Sequence, residues 1–136
     1  MQESVGGIFS DDAERAVLGS IILKDECFDV VKEYIVESDA FYVEKNKKIW
    51  EAMTELKSEN IPIDIVNISS KIKGITYYLS GLSEMPSTAN VESYAKQVNS
   101  DWLRRKLVNQ SQEIANKAYD NSNDISTLLV DVHDTT

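Results

Sequence analysis

The chain has 136 residues, of which 42% are hydrophobic and 27% are charged, and its formal net charge is -9. A chain of this length buries enough surface to form one domain without disulfides or metals. The acidic balance weighs against direct binding of nucleic acid, because that binding depends on Lys and Arg side chains that neutralise phosphates. A single cysteine excludes an internal disulfide, and the sequence has neither a membrane-length apolar run nor a signal peptide. We therefore expect a cytoplasmic protein that binds no membrane and no nucleic acid.

Helical patterns dominate the first half of the sequence. The stretch DDAERAVLGSIIL predicts a buried helix that is capped by Asp11, with Glu14 closing a capping box. Gly19 stands on the apolar face of this helix at a cost of about 1 kcal/mol relative to alanine, so we expect a neighbouring backbone to approach closely there. Further helices are predicted from about Val43 to Glu59, after an N-cap at Asp64, and over the stretch TYYLSGL.

The second half of the sequence predicts one long helix followed by a shorter one. From Asn90 to Tyr119 the pattern is helical, but at 100° per residue the apolar face changes direction at Leu103. A helix inside one globule keeps one apolar stripe, so either the helix breaks near Asn99–Asp101 or its second half leaves the globule. Asp124 then caps a last helix, which forms an αα-hairpin with the long one. Since no hairpin turn or period-two alternation occurs, the predicted fold class is all-α.

The predicted organisation has three parts, namely a flexible leader at 1–10, a helical head at 11–102 and a helical hairpin at 103–136. Half of the apolar surface of such a hairpin is uncovered unless another subunit supplies the cover. This predicts self-association through the hairpin. The residues predicted to form the contact are Leu107, Ser111, Ile114, Ala118, Ile125, Leu128, Leu129 and Val132.

None of the motifs that carry catalysis or metal binding occurs in the sequence. There is no P-loop, and one cysteine and one histidine cannot form a zinc cluster. Asp11, Asp12 and Glu14 are candidates for a pair of catalytic carboxylates, but acidic residues at a helix N-terminus are explained by the helix dipole. We therefore predict a non-catalytic chain with no catalytic, metal-binding or cofactor-binding residue.

Six short stretches occur in order between Asp11 and about Val132: DDAERAVLGSIIL, DAFYVEKNKKIWEAM, IPIDIVNI, GITYYLSGL, PSTANVESYAKQV and LRRKL. Together they resemble the N-terminal domain of the DnaB-type replicative DNA helicases of bacteria and their phages. The chain departs from the family pattern at Asn46, where the family usually has His, and at Trp50, where it has Phe. Gly74 stands alone where the family commonly has two glycines.

The resemblance implies a non-catalytic collar domain of a hexameric helicase, in which heads pair through their hairpins into dimers and a trimer of dimers. It also implies docking of the C-terminal domain of primase and, in some systems, of a helicase loader. The ATPase domain that binds ATP and Mg²⁺ in this family is absent from the sequence, so no cofactor is expected here. Two alternatives remain open: a stand-alone adaptor or inhibitor that mimics such a domain, and a small hydrolase that uses the Asp11–Glu14 carboxylates.

Partner docking is predicted at Tyr78, which directly follows a second tyrosine, Tyr77. They lie 100° apart on a short helix, so both cannot point into one core, and Tyr78 matches the family pattern. Asp12 is predicted to add a charge at the rim, and Val108 and Ile114 to add apolar contacts from the hairpin. The alternative is that Tyr78 and Ile114 are ordinary core or dimer residues, because periodicity does not distinguish the two.

Overall fold

The computed structural model describes residues 7–84, 88–122 and 124–135, and within these ranges every regular element is helical. The all-α prediction is therefore confirmed. Two single turns of 3₁₀ helix, Ser38–Ala40 and Thr88–Asn90, supplement the α-helices. In chain order the α-helices are α1 (Asp11–Leu23), α2 (Cys27–Val31), α3 (Glu44–Ser58), α4 (Ile65–Ser69), α5 (Thr76–Leu82), α6 (Val91–Tyr119) and α7 (Ile125–Thr135).

The chain divides into two compact units. The described residues of Phe9–Trp102 form one unit, and Gly7, Ile8 and the described residues from Leu103 onwards form the other. Helix α6 is continuous from Val91 to Tyr119, so the break near Asn99–Asp101 does not occur. The division between the units instead follows Trp102, at the point where the apolar pattern of the helix changes face.

Helix α1 lies in the middle of the Phe9–Trp102 unit and packs against α2, α3 and α5. Its side chains Val17, Leu18 and Ile21 are completely buried, as the apolar residues around its circumference predict. Gly19 is buried on the same helix. The close approach of another backbone at Gly19 remains a prediction.

Aromatic rings join α2 and α3 inside the same core. The indole of Trp50 stacks on Phe28 with ring centroids 5.0 Å apart, and Phe41 contacts it from a second side at 5.8 Å. All three rings are buried. Such pairs contribute about 0.5–1.5 kcal/mol beyond the area that they bury, so this cluster is a main stabilising element of the head.

The start of α1 differs from the sequence-based prediction. Ser10, not Asp11, is the N-cap residue, and its Oγ accepts a hydrogen bond from the Ala13 N–H at 3.1 Å. The predicted capping box is also wrong, because Glu14 is only 1% exposed and its carboxylate is bonded elsewhere. The physical reason is that Ser10 already supplies the cap, which leaves the Glu14 side chain available for a distant contact.

The Glu14 carboxylate caps the beginning of α3 instead. Its Oε2 accepts the Tyr42 N–H at 2.6 Å, and its Oε1 accepts the Val43 N–H at 3.3 Å and the Asn46 Nδ2–H at 2.8 Å. Val43, the N-cap residue of α3, has no side chain that can accept a hydrogen bond. A carboxylate at this position also complements the partial positive charge of the helix N-terminus. Thus one side chain of α1 satisfies the first donors of a helix that lies 30 or so residues later.

Residues 8–10, at the end of the predicted leader, contact other parts of the chain. Ser10 caps α1, the ring of Phe9 stacks on Tyr42 at 4.3 Å, and the Ile8 carbonyl accepts a hydrogen bond from Arg105 Nη1 at 2.8 Å. The flexible leader over 1–10 stays a prediction, and residues 8–10 within it make these three contacts. Residues 1–6 of that leader, and Pro86 of the predicted turn, lie outside the described part of the chain.

Capping residues fix the turn between α3 and α4. Asn60 has a φ of 59°, and the Ile61 N–H bonds to the Leu56 carbonyl at 2.9 Å, which is the bond that closes a Schellman motif. Asp64 then caps α4 by accepting the Asn67 N–H at 2.8 Å, as predicted. Both caps are local, so the sequence of the turn itself is sufficient to place them.

We expect Glu14→Gln to lower the free energy of unfolding by about 1.5–3 kcal/mol, the usual range for hydrogen bonds to a charged group. A carboxamide has one acceptor oxygen and presents an NH₂ group to N–H donors, so part of the cap on α3 is lost. Asp12→Asn on the same helix is the control. Asp12 is exposed, and its substitution is expected to change stability by no more than about 0.5 kcal/mol.

The measurement is urea unfolding followed by circular dichroism at neutral pH. Equal midpoints for the two variants would contradict the role assigned to the Glu14 carboxylate.

Candidate protein-interaction surfaces

A buried chain of hydrogen bonds connects α1, α3 and α5. The completely buried Asn46 donates from Nδ2 to Glu14 and accepts at Oδ1 from the Tyr78 hydroxyl, 2.6 Å away. Both ends of the amide are satisfied, as a buried polar side chain requires. Tyr78 is thereby held by its hydroxyl while its ring remains partly accessible at the surface.

Two cationic side chains lie over the ring of Tyr78. The Arg15 guanidinium carbon is 5.4 Å from the ring centroid, and the Lys45 ammonium nitrogen is 4.7 Å from it. Burial raises the pKa of the Tyr78 phenol above its ordinary value, while the positive charge of Arg15 opposes that increase. The phenol is therefore protonated at neutral pH and acts as the hydrogen-bond donor to Asn46.

Tyr77, the neighbour of Tyr78 on α5, is 92% exposed. The prediction that one of the two tyrosines faces solvent is therefore confirmed, and the exposed residue is Tyr77. We use the name tyrosine surface for the four residues Arg15, Lys45, Tyr77 and Tyr78. Tyr77 is exposed, and Arg15 lies over the partly accessible ring of Tyr78. Tyrosine and arginine are enriched at the energetic centres of protein interfaces.

The four predicted docking residues are divided between the two units. Asp12 and Tyr78 belong to the Phe9–Trp102 unit, whereas Val108 and Ile114 belong to the other. Asp12 is exposed, but the carboxylates whose charges raise the pKa of Tyr78, in addition to burial, are those of Asp11 and Glu14. Neither Arg15 nor the exposed side chain of Tyr77 was among the predicted docking residues, because only the packing of α1 against α5 brings Arg15 onto the tyrosine ring.

The second surface lies on the hairpin of α6 and α7. Six of the eight predicted hairpin residues line one apolar groove of about 210 Å³ between the two helices. Leu107 and Ser111 are the remaining two, and both are exposed on α6. The six residues in the groove are Ile114, Ala118, Ile125, Leu128, Leu129 and Val132.

The turn of the hairpin is shaped by two aspartates. The Asp120 carboxylate accepts hydrogen bonds from the Ser122 hydroxyl at 2.7 Å and N–H at 3.0 Å, which hold the pKa of Asp120 below its ordinary value. Asp124 caps α7 as predicted, with the Thr127 N–H 3.1 Å from its Oδ2. Leu107, Ile125 and Leu129 are more than half exposed on this hairpin. An apolar patch of this kind on a surface marks a site of protein contact.

Neither unit presents a catalytic or metal site among its described residues. No group of three or more His, Cys, Asp or Glu side chains is placed there to hold a metal ion. The carboxylate of Glu14 is buried and receives three hydrogen bonds, so it is not available for the hydrolytic role considered from the sequence. Over the same residues, no helix has the length and apolar character that crossing a membrane requires.

Comparison with known proteins identifies the class to which these surfaces belong. The sequence model of the family described as DnaB-like helicase N terminal domain matches residues 8–100. The chain therefore belongs to the DnaB-like helicase N-terminal domain family.

Its curated relatives are replicative helicases. The chain is 30% identical over 133 residues to the replicative DNA helicase DnaC of Bacillus subtilis, a match that covers 91% of this chain and 29% of that helicase. It is 31% identical over 129 residues to the replicative DNA helicase DnaB of Geobacillus stearothermophilus, covering 88% of this chain and 28% of that one. The chain thus spans less than a third of the length of these relatives.

Solved structures show the same fold. The N-terminal domain of DnaB helicase from Mycobacterium tuberculosis is similar with a TM-score of 0.83 at 22% identity, over 92% of this chain and 97% of that one. The corresponding domain from Helicobacter pylori is similar with a TM-score of 0.72 at 23% identity, over 87% and 97% of the respective chains. The structural match to the mycobacterial domain covers a larger share of this chain than the family model does, since that model ends at residue 100.

We expect Tyr78→Phe to lower the free energy of unfolding by about 1–2 kcal/mol, because it leaves the buried Oδ1 of Asn46 without its donor. Tyr77→Phe is the matched control, since its hydroxyl belongs to an exposed side chain, and it is expected to leave stability unchanged within about 0.5 kcal/mol.

The same pair of variants has a predictable pH dependence. The pKa of Tyr78 is raised in the folded chain, so its contribution to stability is complete below the ordinary tyrosine value of 10.0 and is lost as the pH rises through the higher folded value. Thermal unfolding on the alkaline side should therefore show a smaller pH-dependent loss for Tyr78→Phe than for Tyr77→Phe. Identical alkaline profiles would contradict the assignment.

Proposed function

We propose that this chain is the non-catalytic collar module of a replicative helicase, which pairs with further copies of itself and docks primase during DNA replication. The observation that carries the proposal is the apolar hairpin face, which remains exposed in a chain of the DnaB-like N-terminal domain family. We further propose that it acts in the cytoplasm, and that ATP and Mg²⁺ are bound by a motor domain and not by these residues.

Self-association is proposed to occur through the hairpin. Contacts between copies would cover Leu107, Ile125 and Leu129, whose exposure to water is unfavourable by about 25 cal/mol for each Å² of apolar surface. A contact of the same surface on both copies gives a dimer. Three such dimers would complete the trimer of dimers expected for a hexameric helicase.

The primase proposal rests on a relative and on the tyrosine surface. The solved N-terminal domain from Helicobacter pylori is described together with its interactions with primase. For this chain we propose that the C-terminal domain of primase contacts Tyr77 and Tyr78, with Asp12 at the rim. On the hairpin unit, Val108 and Ile114 are proposed as a second set of docking contacts. A helicase loader is a further candidate partner in systems that use one.

A stand-alone adaptor or inhibitor that mimics the collar is the second candidate, but no feature of the two surfaces favours it. The two candidates differ in what the native gene encodes after Thr136. A helicase subunit requires a motor domain with a P-loop in the same polypeptide, whereas an adaptor does not.

We expect the chain to dimerise in a concentration-dependent manner, and we expect Leu107→Asp and Ile114→Asp to make it monomeric. Each substitution introduces a charge that would have to be desolvated in the contact between hairpins. Leu107 is largely exposed, so its substitution removes the contact without disturbing the fold, while Ile114 tests the groove itself. Val66→Asp is the control, because Val66 is an exposed apolar residue of α4.

Sedimentation equilibrium over a range of concentrations measures the association, and circular dichroism checks the helical content of each variant. A dimer that persists in both hairpin variants would contradict this interface.

Primase docking is tested with alanine substitutions at Tyr77, Tyr78 and Val108. We expect Tyr77→Ala to weaken binding of the cognate primase C-terminal domain about tenfold or more, the usual effect of removing a central aromatic side chain. Because Tyr77 is exposed, the Tyr77→Ala variant should have the same melting temperature as the unsubstituted chain. Val66→Ala is the control and should bind normally.

Calorimetric titration measures the affinity, and a thermal melt of every variant separates docking from folding. If Tyr78→Ala and Val108→Ala lower the melting temperature while primase binding by all variants is retained, these side chains are structural and the proposed docking surface is wrong.

A further inference from the structure

A second groove lies along α3. Helix α3 forms its floor, residues just after α2 form one wall, and the turn between α4 and α5 forms the other. Its volume is about 900 Å³, and an adjoining hollow of about 340 Å³ continues it towards Phe28. We name this feature the α3 groove; the residues that matter to its chemistry are Val36, Lys48, Trp50, Lys71, Ile72 and Lys73.

Both walls of the α3 groove are fastened to its floor. The Ser38 hydroxyl donates to Glu51 Oε2 at 2.7 Å, and the Lys71 ammonium lies 2.9 Å from Glu55 Oε1 and 3.2 Å from Glu59 Oε1. The hydrogen bond to Glu55 raises the pKa of Lys71 above its ordinary value, so this bridge is charged at neutral pH. The groove is therefore formed before any partner binds, which reduces the entropic cost of binding.

The charge of the groove is opposite to that of the chain. Five lysines line the groove and the adjoining hollow, against two glutamates, although the whole chain has 14 basic and 23 acidic residues. Lys71 is neutralised by its two glutamates. Lys48 and Lys73 are exposed and form no ion pair with any described residue. The charges of Lys48, on the floor, and of Lys73, on one wall, are therefore available to a partner.

An apolar strip accompanies these charges. Val36 is 79% exposed on one wall, Ile72 is half-buried on the other, and the buried Trp50 lies at the floor. A nucleic-acid site would favour a row of unpaired cations, whereas here three of the five lysines already lie near carboxylates. Apolar contacts combined with a few positive charges match a peptide that carries carboxylates beside an apolar side.

We propose that the α3 groove docks a short acidic, amphipathic segment of a partner protein. The apolar side of the segment packs between Val36 and Ile72, and its carboxylates pair with Lys48 and Lys73. Helix-in-groove binding of this type needs only two or three turns of helix, and about 8 residues of helix with their side chains fill a volume of this size. The residues that line this groove differ from those of the hairpin groove and of the tyrosine surface, although Lys48 follows Lys45 by three residues on α3 and lies beside it. The proposal therefore uses contacts that the primase and dimer proposals do not use.

The probe is a synthetic peptide of about 12 residues, long enough for three turns, with leucine on one helical face and glutamate on the others. Two comparison probes are the same peptide with lysine in place of glutamate, and oligothymidylate. Amide chemical shifts of the ¹⁵N-labelled protein are followed during each titration. We expect saturable binding of the acidic probe, with the shifts concentrated at Val36, Lys48 and Lys73, and no comparable binding of the other two.

Two pairs of variants test the contacts. The double variant Lys48→Glu/Lys73→Glu is expected to weaken binding of the acidic probe about tenfold or more, an effect expected when close charge pairs are removed. Lys24→Glu/Arg104→Glu has the same change in net charge at exposed positions outside the groove and is expected to have a much smaller effect. Val36→Asp is expected to weaken binding of the acidic probe. Val66→Asp is its control, because Val66 is 76% exposed and does not line the groove, and this variant is expected to bind the probe normally.

Several results would overturn the proposal. Equal effects within either pair of variants would mean that net charge or general hydrophobicity, and not the groove, governs binding. Shifts confined to the tyrosine surface would place the peptide elsewhere, and the absence of binding would remove the docking site. Tighter binding of oligothymidylate than of the acidic peptide, with shifts at Lys48 and Lys73, would make the groove a nucleic-acid site. None of these results bears on dimerisation or on primase binding.

Discussion

The burial of one carboxylate, that of Glu14, is the constraint on which the head depends. An ionised carboxylate inside a helical core is unfavourable by several kcal/mol unless hydrogen bonds replace its lost hydration. Here the N–H groups of Tyr42 and Val43, just before α3, and the amide of Asn46 in its first turn replace it. Helices α1 and α3 therefore meet in one register. The same chain of bonds continues to the Tyr78 hydroxyl, so it also determines which tyrosine of α5 is left at the surface.

Except at the N-cap of α1, where Ser10 and not Asp11 holds the cap, the sequence was sufficient to predict the local features. Asp64 caps α4 because its carboxylate reaches an N–H three residues later, and α3 extends over Glu44–Ser58, within one residue of the predicted span at each end. Helix α6 shows what the apolar periodicity of a sequence can predict and what it leaves open. Its change of face at Leu103 limited the possibilities to a broken helix or a helix whose second half leaves the globule, and the helix is unbroken. The family resemblance likewise came from local motifs, and the family match confirms it.

The features that the sequence did not predict depend on residues far apart in the chain. Glu14 stands three residues after Asp11, the spacing of a capping box, but Ser10 holds the cap and the carboxylate bonds to residues about 30 positions away. Helical geometry showed that Tyr77 and Tyr78 cannot both be buried. Which of them faces solvent was decided by Asn46, whose neighbours no periodicity reveals. The α3 groove was missed for the same reason, because its two walls come from turns on either side of α3.

The position of Asn46 has a consequence for how this head responds to acid. It must donate to Glu14 and accept from Tyr78 at the same time, and an amide does both at any pH. The family usually has histidine here, and a neutral imidazole also provides one donor and one acceptor. An imidazolium has two donors and cannot accept the tyrosine hydroxyl, so a histidine at this position would sense protons near its ordinary pKa of about 6.5. With asparagine, this position carries no group that titrates in that range.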